Sequence, residues 1–145
     1  MSQAPHFDPT NFSTDAFVFR NEKPWGYEII FTPPNLPYSG KIIHILAGKR
    51  LSLQVHDKKQ ESYYLAGGEC NVVLEDNHGE LQIIKLEKGK GYTVGIGQKH
   101  RLWAVSDCDV FEVATPEIGT TYRLEDDYKR PDETEALRKE ERGQA

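Results

Sequence analysis

Between Gly48 and Gly68 the chain reads Gly48-Lys-Arg-Leu-Ser-Leu-Gln54-Val-His56-Asp-Lys-Lys-Gln-Glu61, running on to Gly67-Gly68. In an extended segment side chains alternate, so Ser52, Gln54 and His56 fall on one face and Leu51, Leu53 and Val55 on the other. After a short turn, Glu61, Tyr63 and Leu65 share a face. Far along the chain comes Gly89-x5-Gly95-x-Gly97-x2-His100. Two imidazoles, a carboxylate and an amide oxygen form an N/O donor set suited to a borderline or hard divalent ion. With only one formal negative charge among the donors, such an ion stays a strong Lewis acid. The bland reading of the same four residues is a hydrogen-bonded polar patch.

Other groups could act beside them. Lys41 shares parity with Ile43 and Ile45; facing a pocket it is a phosphate anchor or a base, facing outward a solvated lysine. Glu112 sits mid-strand between Phe111 and Val113, where an acid needs a partner: a pocket cation, or a histidine that it orients. Tyr63 lines the pocket or packs in the core. Lys58 and Lys59 follow His56 in a turn, as a solvated pair or as greeters of an anionic substrate, and Arg50 could help to neutralise a phosphate. Arg101 alternates away from His100 and is expected at the rim or surface. His6, His44 and His78 lack a ligand-like context. Cys70 and Cys108 are too few for a disulfide framework or a thiolate zinc site, and no neighbour in sequence activates them.

The elements that must position these groups read as strands. Tyr27–Thr32, Gly40–Ala47, Arg50–His56, Glu61–Ala66, Cys70–Glu75, Glu80–Leu86, Tyr92–Ile96, Arg101–Val105 and Val110–Thr115 are short, apolar or alternating, and punctuated by glycine and proline. Asp76-Asn77-His78-Gly79 is a hairpin turn. About nine or ten strands at this spacing make a sandwich or barrel. One helix is expected after Pro131, with Asp132, Glu133 and Glu135 before Arg138, Lys139 and Arg142, the order a helix dipole favours. Its apolar residues, Ala136 and Leu137, predict a marginal, surface-lying helix. Residues 1–22, with Phe7, Phe12, Phe17 and Phe19, form an arm expected to pack on the body. Residues 23–124 form the barrel, and 125–145 an acidic, partly helical segment.

The two motifs resemble those of the cupin superfamily. Its first motif is matched as Gly48-x5-Gln54-x-His56-x4-Glu61-x6-Gly68 and its second as Gly89-x5-Gly95-x-Gly97-x2-His100-x3-Ala104. Gln54 stands where that pattern has its first histidine, Gly95 where it has proline and Ala104 where it has asparagine. The resemblance implies an all-β cupin-type jelly roll (a double-stranded β-helix) with a short C-terminal helix, and Gln54, His56, Glu61 and His100 as ligands of one divalent ion. Zinc is the first expectation, with Mn, Fe, Ni or Co as alternatives. Pro24-Trp25-Gly26-Tyr27-Glu28, Arg50-Leu51-Ser52-Leu53-Gln54-x-His56 and Glu125-Asp126-Asp127-Tyr128-x-Arg130 are similar to the cupin domain of type II mannose-6-phosphate isomerases. Those proteins usually carry a second histidine where this chain has Lys58.

This resemblance implies a metal-dependent isomerase or epimerase of a phosphorylated or nucleotide-linked sugar, with Lys41 or Glu112 as base and Arg50, Lys58 and Tyr63 at the substrate. The rivals are an iron-dependent oxygenase and a non-catalytic sugar-binding or regulatory cupin. The 145 residues suit one domain, and 18 basic against 23 acidic residues argue against non-specific nucleic-acid binding. Residues 125–145 hold eight acids and five bases, so the rest of the chain is near neutral. No run is long and apolar enough to span a membrane. The start Met1–His6 has neither a basic nor an apolar stretch, so no leader is expected and the cytoplasm is the expected compartment. A patch of Leu51, Leu53, Val55, Ile42 and Leu46 on the outer strands predicts a homodimer.

Overall fold

The computed structural model describes residues 2–143. Met1, Gln144 and Ala145, and with the last two the end of the expected 125–145 segment, lie outside the described residues. Eleven strands precede one helix: β1 Phe19–Lys23, β2 Gly26–Ile30, β3 Ser39–Ile45, β4 Leu53–His56, β5 Glu61–Gly67, β6 Cys70–Glu75, β7 Leu81–Lys85, β8 Gly91–Val94, β9 His100–Ala104, β10 Cys108–Ala114, β11 Thr121–Glu125 and α1 Glu135–Glu141. They form a six-stranded sheet, β1-β2-β3-β10-β5-β8, facing a five-stranded sheet, β11-β4-β9-β6-β7. Every strand pairing is antiparallel. Closing two antiparallel sheets over one core is what a chain of short alternating strands must do to bury one face of each.

The inner faces are divided along their length. At one end Ile43, Ile45, Leu65, Val72, Leu102 and Val110 form a dry core. At the other end the same strands turn charged groups inward. Register places Glu112 opposite Lys41 on one side and opposite Tyr63 on the other, and pairs Gln54 with His100 and Thr121 with His56. Gly68 shows why the first motif must end in glycine. Its φ is 76°, and a side chain there would collide with the Asp107 carbonyl and the Cys108 backbone.

Several expectations change. The strand expected over Arg50–His56 begins at Leu53. Residues 50–52 are irregular, so parity fails there and both Leu51 and Ser52 line the interior. Leu53 is buried and Val55 half-buried, so this strand presents no open apolar patch. Of the expected patch Leu46 is exposed and Ile42 half-buried, and Tyr64, Phe111 and Val113 are among the other outward apolar side chains of the six-stranded sheet. Residues 2–18 are exposed throughout, Phe7 and Phe12 included, rather than packed on the body. Phe19–Glu22, expected in the arm, belongs to β1. Arg101 is buried, not at the rim: Nε donates to the Leu51 carbonyl at 2.9 Å while Nη2 has no hydrogen-bond partner among the described residues. The helix starts later than Pro131, with Thr134 as its N-cap accepting from the Leu137 amide. It does not merely lie on the surface, because Arg138 and Arg142 turn inward.

Candidate metal centre

His56 ends β4, Glu61 opens β5 across the barrel, and His100 opens β9 beside Gln54. The ligand atoms of the three ionisable groups lie within 4.8 Å of one another and all three residues are buried. His100 Nε2 is 2.8 Å and His56 Nε2 3.0 Å from Glu61 Oε1. The far nitrogens are held. His100 Nδ1 lies 2.8 Å from the Gln98 carbonyl, and His56 Nδ1 2.8 Å from Thr121 Oγ1. A carbonyl only accepts, so His100 Nδ1 carries its proton. In the neutral ring Nε2 is then a bare lone pair facing a carboxylate oxygen. Two electron-rich atoms at that distance need a proton or a metal ion between them. Oε2 of Glu61 has no hydrogen bond among the described residues, and the Lys59 ammonium lies 3.2 Å from it.

Gln54 faces the same space. Its Nε2 is 3.4 Å from His100 Nε2 and its Oε1 accepts from Ser52 Oγ at 2.7 Å. A half-turn of the amide would present Oε1 to the centre and let Nε2 donate to Ser52. The residues therefore fit a divalent ion, with His56, Glu61 and His100 as the core set and Gln54 as the fourth donor. Burial lowers the His56 pKa, with only partial offset from Glu61, which favours the neutral, ligating ring. Burial alone would raise Glu61, but Lys59 and the surrounding hydrogen bonds hold it well below the usual range, so it is ionised.

Lys59 is the group that the sequence reading passed over in favour of Lys58. It is buried, with Nζ 3.2 Å from Glu61 Oε2, 3.3 Å from Glu112 Oε2 and 3.4 Å from Glu117 Oε1. Lys58 is exposed. The available signal was parity: Lys59 stands two residues before Glu61 and shares its face. Lys41 does point inward, 2.8 Å from Glu28 Oε2, 2.9 Å from Glu117 Oε1 and 3.6 Å from Glu112 Oε2. These carboxylates outweigh its burial and raise its pKa well above the ordinary value, so it stays charged. Burial, then the Glu61 carboxylate, pushes Glu112 well above the normal range. Tyr63 donates to Glu61 Oε1 at 2.9 Å, serving pocket and core together. Arg50 stands off the cavity, with its guanidinium bidentate on Asp127 at 2.7 and 2.8 Å. His44 stacks on Tyr27 and pairs with Asp109, a structural role.

Gln54, His56, Lys41, Lys59, Tyr63 and Glu112 all line one cavity of about 50 Å³. Arg130, Glu133 and Arg142, from the chain after β11, also line it. Arg142 pairs there with Glu117 and Glu28, and Glu133 binds Arg138 at 2.8 Å and Arg123 at 3.3 Å. Nothing in the sequence marked Glu117, Arg123 or Arg142 as inward.

No protein-family model and no curated protein sequence matches this chain. Solved structures do. The oxalate decarboxylase of Lactobacillus farciminis, in its formate complex, is 20% identical over 79% of this chain and 37% of its own, with a TM-score of 0.66. Bacillus subtilis oxalate decarboxylase, studied for its Mn(II) centres, is 18% identical over 83% and 35%, with a TM-score of 0.65. KdgF from Halomonas sp. is 18% identical over 71% and 88%, with a TM-score of 0.57. The chain thus spans only about a third of the length of these decarboxylases, and at such identities the likeness concerns the fold. Among the described residues no helix is long and apolar enough to cross a membrane. The chain has the cupin-type jelly-roll fold, with a short C-terminal helix and a buried His56–Glu61–His100 cluster able to hold a metal ion.

Proposed function

We propose that the protein is a metal-dependent isomerase or epimerase of a phosphorylated or nucleotide-linked sugar. The observation that carries this reading is one small cavity lined by His56 and Gln54 of the donor set together with Glu112, Lys41 and Lys59. A divalent ion, zinc by first preference, would supply Lewis-acid polarisation of a carbonyl oxygen. The chain's own residues do the rest. Lys41, locked among three carboxylates, is too firmly charged to be the base and serves as an electrostatic anchor. Glu112 is the proton carrier: as carboxylate it takes the proton from the carbon beside the carbonyl, and as carboxyl returns it to the former carbonyl carbon. Burial and the Glu61 carboxylate favour its carboxyl form, and Lys59, 3.3 Å from its Oε2, and Lys41 act the other way, toward the carboxylate. Tyr63 and Thr121 orient Glu61 and His56. Arg50 and Lys58 have no part in it.

The test is deuterium incorporation at the sugar carbon next to the carbonyl, followed by proton NMR in heavy water across hexose phosphates and nucleotide-linked sugars. Metal-loaded protein should exchange that proton and Glu112→Gln should not, while keeping its metal. Turnover undiminished in Glu112→Gln would remove the proton carrier. Two histidines and one glutamate are also the donors of non-haem iron oxygenases, so substrate-dependent oxygen uptake by the iron-loaded protein would favour that rival. Full metal occupancy with no turnover would favour a binding module.

A further inference from the structure

A cavity of about 50 Å³ admits the reacting edge of a sugar and little more, whereas sites that enclose a whole small ligand run to about 300 Å³ or above. A second cavity of about 320 Å³ adjoins it, and Glu117 and Arg142 line both. Its flat walls are Phe17, Phe19, Tyr38, Pro33, Pro34 and Pro116. Rings of this kind take a planar heterocycle on its face. An alkyl chain would gain from the same walls but would waste the polar groups among them. Asn35 and Lys139 line the cavity, and among the described residues neither side chain has a hydrogen-bond or ion-pair partner. Glu135, also in the wall, is already engaged, since its Oε1 accepts from the Gly119 amide at 2.6 Å.

The partition between the cavities is suited to an anion. Arg142 pairs with Glu117 and Glu28, but each of these carboxylates also has Lys41, at 2.9 and 2.8 Å. If Arg142 turns to a phosphoryl group, Glu117 and Glu28 each keep their contact with Lys41. Lys139, three residues before it, supplies a second cation on the same wall.

We infer that this second cavity binds the nucleoside diphosphate part of a nucleotide-linked sugar, with the base against the aromatic and proline faces and the phosphoryl groups at Lys139 and Arg142. The sugar then reaches the metal cavity past Glu117. The assignment rests on the sugar isomerase or epimerase reading and narrows its substrate class from free hexose phosphates to nucleotide-linked sugars.

The test is calorimetric titration of the full chain, metal-loaded and chelator-stripped, with UDP, dTDP, GDP and ADP, and with mannose 6-phosphate for comparison. Amide NMR shifts locate the ligand. At least one nucleoside diphosphate should bind one-to-one in both metal states, shifting residues 32–39, 116–118 and 135–142. Tyr38→Ala and Lys139→Glu, both on exposed residues, should each weaken it at least tenfold without changing the thermal melt. Failure of all four nucleotides to bind below about 1 mM, or binding indifferent to both substitutions, overturns the assignment. So does mannose 6-phosphate alone binding and shifting these residues. Nucleotide binding by a protein that takes up no metal would count against the isomerase reading and leave the cavity's assignment standing. Metal uptake without nucleotide binding would do the reverse.

Discussion

Glu133→Gln isolates the charge that fastens the C-terminal segment over the barrel. The Glu133 carboxylate is mostly buried and reaches Arg138 at 2.8 Å, Arg123 at 3.3 Å and Lys23 at 3.8 Å. Burial alone would raise its pKa, but Lys23 and Arg138 outweigh that and hold it at about 2, against an ordinary 4.5. A folded-state pKa below the unfolded one means stability that is fully present above pH 4.5 and is lost as pH falls toward 2. The difference corresponds to about 3 kcal/mol at pH 7 and about 1.5 kcal/mol at pH 3, at ~1.4 kcal/mol per pKa unit. Glutamine keeps the shape and the hydrogen-bonding oxygen but not the charge, so it imitates the protonated acid. Urea unfolding of the wild type and Glu133→Gln from pH 7 to pH 3 should show a gap near the larger figure that roughly halves. Other carboxylates titrate in the same range, but they do so in both proteins and cancel. A gap under about 1 kcal/mol at pH 7, or one that does not narrow with acid, would refute the claim that this charge is held by buried cations.

Thr121→Val should weaken metal affinity about 10- to 100-fold, because the His56 ring loses the hydroxyl that fixes its Nδ1; a competition titration with a chelating dye measures it, and the strand should stay intact. The homodimer is now proposed through the outer face of the six-stranded sheet, where Phe31, Tyr64, Phe111 and Val113 are exposed. Sedimentation equilibrium at micromolar concentration should give twice the 16.5 kDa chain mass, and Phe111→Glu with Val113→Glu should return it to one. A wild-type monomer would end that proposal.

The strand pattern was legible because one face of each strand packs on a core, and alternation is the signature of that arrangement. Glu61, Tyr63 and Leu65 were placed on one face from spacing alone, and they lie there. Periodicity loses its meaning where the chain leaves the strand, which is why Leu51 was misassigned while Ser52, expected beside Gln54 and His56, does line the cavity. Hydrophobic patterning also treats every Lys and Arg as solvent-facing. β11, with its inward Arg123, was not among the expected strands, and Arg138 and Arg142 made α1 look superficial, although Arg138 is buried on Glu133 and Arg142 pairs with Glu117 and Glu28. Glu112 was recognisable because an acid flanked by Phe111 and Val113 must find a partner. Which partners it would find depended on strands distant in sequence, β3 and β5. The arm was misread for the opposite reason: its phenylalanines suggest burial, but Phe7 and Phe12 stay largely exposed, and of residues 2–18 Phe17 reaches a cavity wall.

The most direct measurement of the central claim is the metal content of protein purified without chelator or nickel resin, wild type against His100→Ala, by elemental mass spectrometry. His100 comes from the distant motif, and its side chain contacts the Glu61 carboxylate and the Gln98 carbonyl. Its loss opens the donor set while the dry core at the other end of the barrel stays filled. The account predicts one divalent ion per wild-type chain and less than about a tenth of that in His100→Ala, with both metal-free proteins still unfolding cooperatively. An unchanged ion in His100→Ala would contradict it.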